Sequence, residues 1–151
     1  MARPPLLAVL LAASAAPAEA QRVHAWQLHG LVVVADATFL GGGVGRALRV
    51  GRRLEVAATV SAGALEKQFA GRGELLAVLL LNPFQRRGVG VYGGGGVAVT
   101  GTADATDERI VMLVGIRRAG SVRVGWFLET GIGGGVRLTA GMRLQDGGAV
   151  R

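Results

Sequence analysis

Arg109-Ile110-Val111-Met112-Leu113-Val114-Gly115-Ile116-Arg117 reads with a period of two. Ile110, Met112, Val114 and Ile116 share one parity, while the other parity begins and ends with arginine. The pattern recurs twice downstream. From Val122 to Glu129, Val122, Val124, Trp126 and Leu128 oppose Arg123, Gly125, Phe127 and Glu129. From Val136 to Leu144, Val136, Leu138, Ala140, Met142 and Leu144 oppose Arg137, Thr139, Gly141 and Arg143. Successive side chains of a strand point to opposite faces, so each segment has one aliphatic face and one face that carries charge in mid-strand.

Upstream, Arg53 to Ser61 alternates in the same way, with Leu54, Val56, Ala58 and Val60 on one side and Arg53, Glu55, Ala57, Thr59 and Ser61 on the other. Val89 to Thr100 places Val89, Val91, Val97 and Val99 opposite Gly90, Tyr92, Gly94, Gly96 and Ala98. Glu74 to Leu81 is apolar on both parities and predicts a strand packed on both sides, so that part of the enclosed space is apolar. With strands near Trp26–Ala35 and Phe39–Val50, the count is eight, recurring every ten to fifteen residues in the rhythm of an all-β domain. The segment 62–72 reads as a loop with a short helical turn near Ala64 to Phe69, bracketed by Gly63, Gly71 and Gly73. A glycine-rich bend at Gly131 to Gly135 leaves seven strands as an alternative, with the last two fused into one.

The first twenty residues stand apart. Arg3, the apolar run Leu6 to Ala16 and Ala18-Glu19-Ala20 have the three zones of a secretory signal peptide, so residues 1–20 are expected to be removed. Residues 21–145 then form one domain, and 146–151 a short tail. Cysteine is absent, so export brings no disulfide framework, and closed backbone pairing must supply the stability. The net charge is +7, and all but one of the 17 basic residues are arginine, the exception being Lys67. These residues are spread along strands and turns, without the clustering and interleaved aromatics of a nucleic-acid surface.

Alternation alone leaves open which face is inside. A barrel in lipid turns its aliphatics outward, whereas a soluble up-and-down barrel of lipocalin type encloses them around a small apolar ligand. Glu55 and Glu129 share the polar parity with Arg53, Arg109, Arg123, Arg137 and Arg143, the composition of an interior ion-pair network. Such pairing is what buried charge requires, because an unpartnered ion in a low dielectric costs several kcal/mol. On leader, strand rhythm and parity, the chain from Trp26 to Gln145 resembles the small eight-stranded outer-membrane barrel proteins of Gram-negative bacteria. The resemblance implies an antiparallel meander barrel, with outer-membrane lipid and the barrel assembly machinery as partners. Aromatics are only 5% and the last strand ends in Leu144-Gln145 without an aromatic residue, so the soluble exported barrel stays open.

Chemistry-bearing residues are few. His24 and His29, five apart on a strand, face opposite ways and make a poor metal pair, and no cofactor motif is present. His29 is expected at a barrel end. Ser61 and Ser121 lie outside any nucleophile motif, and lipid-directed catalysis would require His29 within hydrogen-bond reach of one of them. Gly42-Gly43-Val44-Gly45 and Gly93 to Gly96 lack the helix and Gly-Lys-Ser/Thr of a phosphate loop. Arg86 and Arg87, in the basic loop after Asn82-Pro83, are candidates for contact with lipid headgroup phosphates.

Overall fold

The computed structural model describes residues 24–82, 88–118 and 123–145. The expected leader, Arg86 and Arg87, Ser121, and the tail lie outside those residues. Eight strands follow one another: β1 (His24–Val34), β2 (Phe39–Val50), β3 (Leu54–Leu65), β4 (Gln68–Leu80), β5 (Val89–Gly101), β6 (Thr106–Arg118), β7 (Val124–Ile132) and β8 (Val136–Gln145). Each pairs antiparallel with the next and β8 returns to β1, closing the sheet into a meander barrel. Closure leaves no edge strand with unpaired backbone groups. The glycine-rich bend separates two strands, because Gly134 and Gly135 take positive φ of 84° and 153° between Ile132 and Val136. Seven strands are thereby ruled out.

The parity decides the two faces throughout. Ile110 is 77% exposed, Leu138 50% and Val124 43%, and the aliphatic faces of β1, β3 and β5 also lie outside. Inside are two apolar clusters. The larger joins Leu76, Val78 and Leu80 of β4 to Ala57, Tyr92, Val111 and Leu113, which is why β4 is apolar on both parities. The smaller groups Leu31, Val33, Phe39 and Ala70. Eight strands make a barrel just wide enough for side chains to occupy its interior, so large rings must sit opposite small residues. Tyr92 faces Gly115 across the β5–β6 pair, and a Cβ there would stand 2.6 Å from the ring. Phe127 faces Gly141 in the same manner across β7–β8.

One segment departs from the sequence expectation. Residues 62–72 hold no helical turn: β3 runs to Leu65, β4 starts at Gln68, and the two are joined by Glu66 and Lys67 alone. Both residues have positive φ, 48° and 75°, the backbone of a type I′ hairpin. That turn usually carries Asn-Gly, and Glu-Lys concealed it. The left-handed region costs an ordinary L-residue about 1 kcal/mol or more. Glu66→Asn with Lys67→Gly should therefore stabilise the barrel by about 1 kcal/mol, measured as a shift in the urea unfolding midpoint; an unchanged midpoint would show that the turn holds no strain.

Candidate functional site: the charged barrel interior

The inward parity delivers charge to two levels along the barrel axis. On β8, Arg137 and Arg143 are six residues apart, about 20 Å along a strand. Near mid-barrel, Arg137 donates from Nη1 to Glu129 Oε2 and from Nη2 to Glu74 Oε2, each at 2.8 Å. Arg72 donates from Nε to Glu74 Oε1 at 2.8 Å, from Nη1 to Thr100 at 2.9 Å, and from Nη2 to the Gly133 carbonyl at 3.1 Å. The Tyr92 hydroxyl donates to Glu129 Oε1 at 2.9 Å. Two guanidinium groups meet two carboxylates, and the cluster is neutral. Arg137 is only 2% exposed, so this balance matters: a low dielectric magnifies both the attraction within a pair and the cost of an unmatched charge.

The second level lies toward the end of the barrel where β1 begins and β8 ends. Glu55 accepts both Nη groups of Arg143, the Nη2 bond being 2.8 Å long. Arg117 Nη1 approaches both Glu55 oxygens at 3.1 Å, and its guanidinium stands 5.4 Å from the Tyr92 ring centroid. Tyr92 thus touches both levels.

The geometry divides the residues that the sequence singles out. Glu55, Arg143, Glu129 and Arg137 sit inside these clusters. Arg53, Arg109 and Arg123 do not, a correction to the interior network expected for them. Arg53 and Arg123 are exposed beside the connections before β3 and β7. Arg109 pairs with Asp107 at 2.8 Å in the open, near the far rim. Parity aims a side chain but does not say whether its strand is still within the enclosed length, and all three positions are past it. Arg72, which the sequence hid between Gly71 and Gly73, and Glu74 take part instead; counting back by twos from Leu80, Val78 and Leu76 reaches both. Arg117, which closes the stretch quoted first, is the third addition.

His29 is buried inside the barrel, not at its end, and its Nε2 lies 2.9 Å from Ser61 Oγ. The spacing meets the geometric requirement for a hydroxyl activated by imidazole. His29 adjoins a cavity of about 20 Å³ that Gln27, Thr59, Tyr92, Glu129, Arg137 and Thr139 help to line. That volume has room for about one water molecule and none for an ester or a lipid. The pair is one buried hydrogen bond, and Ser61→Ala should cost about 1–2 kcal/mol in urea unfolding while leaving any esterase background unchanged; loss of a hydrolytic activity in that variant would assign the pair a catalytic role. Among the described residues, no group of three His, Asp or Glu side chains could hold a metal ion.

On the outer wall, Trp26 and Trp126 lie near the end where β1 begins and β8 ends, and the Arg46 guanidinium is 5.3 Å from the Trp26 ring centroid. Aromatic rings and long basic side chains favour the boundary between hydrocarbon and water.

No protein-family model matches the chain, and no curated protein matches it in sequence. Among solved structures, the N-terminal β-barrel domain of Pseudomonas aeruginosa OprF superposes with a TM-score of 0.56 at 14% identity, over 83% of this chain and 100% of that one. Neisserial surface protein A (NspA) gives 0.55 at 14% identity, over 82% of this chain and 96% of its own. Both are eight-stranded outer-membrane β-barrels, and this chain has their fold: a closed antiparallel meander with neighbouring strands in sequence order.

Proposed function

We propose that the protein is an exported outer-membrane β-barrel of structural or envelope-interaction type, with a plugged interior, no open pore and no enzymatic activity. The carrying observation is the orientation of the wall. Aliphatic side chains of every strand face outward while Glu55, Glu74, Glu129, Arg72, Arg137 and Arg143 are buried within. Water would oppose such a wall, since soluble monomers rarely expose contiguous apolar patches beyond a few hundred Å². Lipid favours it, and lipid-spanning barrels alternate in this sense. A soluble carrier would instead need Ile110, Val124 and Leu138 lining a cavity, and they are on the outside. The plugged interior is supported by the two ion-pair levels and by the small size of the cavity between them. Residues 1–20 serve as the leader in this reading, residues 21–145 as the barrel and 146–151 as a tail, with membrane lipid and the barrel assembly machinery as partners.

Cell fractionation together with gel migration of heated and unheated samples tests the proposal. The expected result is recovery in the outer-membrane fraction with a faster-migrating unheated form. Recovery entirely in the soluble periplasmic fraction would overturn it.

A further inference from the structure

The two ends of the barrel carry opposite charge. At the end distant from the termini, the described residues include Asp36, Glu66, Asp104, Asp107 and Glu108 against Lys67 and Arg109. At the end where β1 begins and β8 ends, Arg52, Arg53, Arg118 and Arg123 are exposed without one exposed acidic residue among those described. Just inside that mouth, among the described residues, three arginines stand around a single carboxylate, two of them bonded to it. Arg143 and Arg117 both bond Glu55, and Arg49 lies directly across from Glu55 in the β2–β3 register. Arg49 makes no ion pair among the described residues, and its buried Nε has no hydrogen-bond partner. The buried Nε of Arg143 is also without one. The mid-barrel cluster, by contrast, pairs two arginines with two glutamates.

We infer that this mouth is an anion site for a phosphate-class group, held by Arg49 and Arg117 with Arg143 behind them. Three positive charges against one leave an excess of two, which matches a phosphate dianion. A partly buried excess of like charge is unfavourable until a counter-charge enters, so the site has a physical reason to be occupied. Arginine forks present parallel N–H donors at the spacing of phosphate oxygens, and the outer ring of Arg52, Arg53, Arg118 and Arg123 raises the local anion concentration at the entrance. A free phosphate and the headgroup of a phospholipid in the adjoining leaflet supply the same chemistry. The Arg46–Trp26 contact on the outer wall lies toward this end, where headgroups would meet the barrel.

The test uses the full-length folded barrel, purified in zwitterionic detergent, and is independent of the cellular compartment. Inorganic phosphate is titrated at constant ionic strength, and binding is followed by ³¹P NMR line broadening and by thermal stabilisation. In a parallel arm the barrel is placed in phosphatidylcholine nanodiscs with or without phosphatidic acid. Saturable phosphate binding is expected, weakened at least tenfold in Arg49→Gln and unchanged in Arg109→Gln at the opposite end. Arg49 forms no ion pair among the described residues, so its variant should fold; an Arg53→Gln, Arg123→Gln double variant gives a second measurement, with binding weakened a few-fold. Displacement of phosphate by phosphatidic acid identifies the headgroup as the natural source, and indifference to that lipid identifies a soluble phosphate. Absence of saturable binding at constant ionic strength, or equal binding by Arg49→Gln, would overturn the inference.

Discussion

Arg137→Met is expected to lower the stability of the folded barrel by about 3–5 kcal/mol, the loss that follows when one partner is removed from a buried ion cluster. The reason is geometric. Arg137 is the bridge between Glu129 and Glu74, and no other cation among the described residues contacts Glu129. Its removal leaves Glu129 with the Tyr92 hydroxyl alone and Glu74 with Arg72 alone. Methionine occupies much of the volume, so the loss reports charge rather than a void. Adding Glu129→Gln to Arg137→Met should recover part of the deficit, because Glu129 is then neutral and Arg72 still matches Glu74. Arg109→Met supplies the contrast: its pair with Asp107 is exposed, and exposed pairs contribute 0 to about 1 kcal/mol. Urea unfolding in lipid vesicles, followed by tryptophan fluorescence, measures all three. Equal midpoints for the Arg137 and Arg109 variants would sink the view that the interior clusters hold the barrel together.

A charge on the outer wall makes the second large prediction. Met112 is the middle residue of β6, faces outward and is 60% exposed. In a bilayer, Met112→Arg should cost about 2–4 kcal/mol, the penalty for arginine near the midplane of a membrane barrel. On a water-facing wall the same exchange would fall within about 0.5 kcal/mol of neutral. Arginine placed at Val50, near the mouth at the end of β2, should cost no more than about 1 kcal/mol, because the penalty falls toward the membrane boundary. Folding titrations in phosphatidylcholine vesicles distinguish the two. A neutral Met112→Arg would mean that water, not lipid, wets the barrel.

The aliphatic wall and the buried charge depend on each other. Lipid offers no hydrogen bonds, so every backbone group must be paired within the closed sheet, and every charged side chain must be matched inside or carried to a rim. The chain follows this division. Glutamates with inward parity meet arginines, while the arginines left unmatched among the described residues gather toward one mouth. The His29–Ser61 hydrogen bond and the Tyr92–Glu129 contact obey the same requirement on a smaller scale.

Much of this was legible before any coordinates. Alternation in β3, β5, β6, β7 and β8 identified the strands, the parity of each side chain and the shared face of Glu55, Glu129, Arg137 and Arg143, because side-chain direction in a strand depends only on position modulo two. Segment 62–72 was misread because its small residues mute the alternation and Glu66-Lys67 adopts a turn normally left to Asn and Gly. Arg72 is hidden within it, and Glu74 stands at the head of the apolar run that follows.

By itself, the sequence determined the alternating strands, their two faces and the pool of charges available to the interior, while the count of eight and the face turned inward came from the structure. Only the tertiary structure decided that Glu74 and Glu129 share Arg137, that Glu55 joins Arg143 to Arg117, and that Arg53, Arg109 and Arg123 fall beyond the enclosed length. Those pairings join residues 8 to 88 positions apart. They depend on the stagger of neighbouring strands around a closed cylinder, a quantity that no single strand encodes.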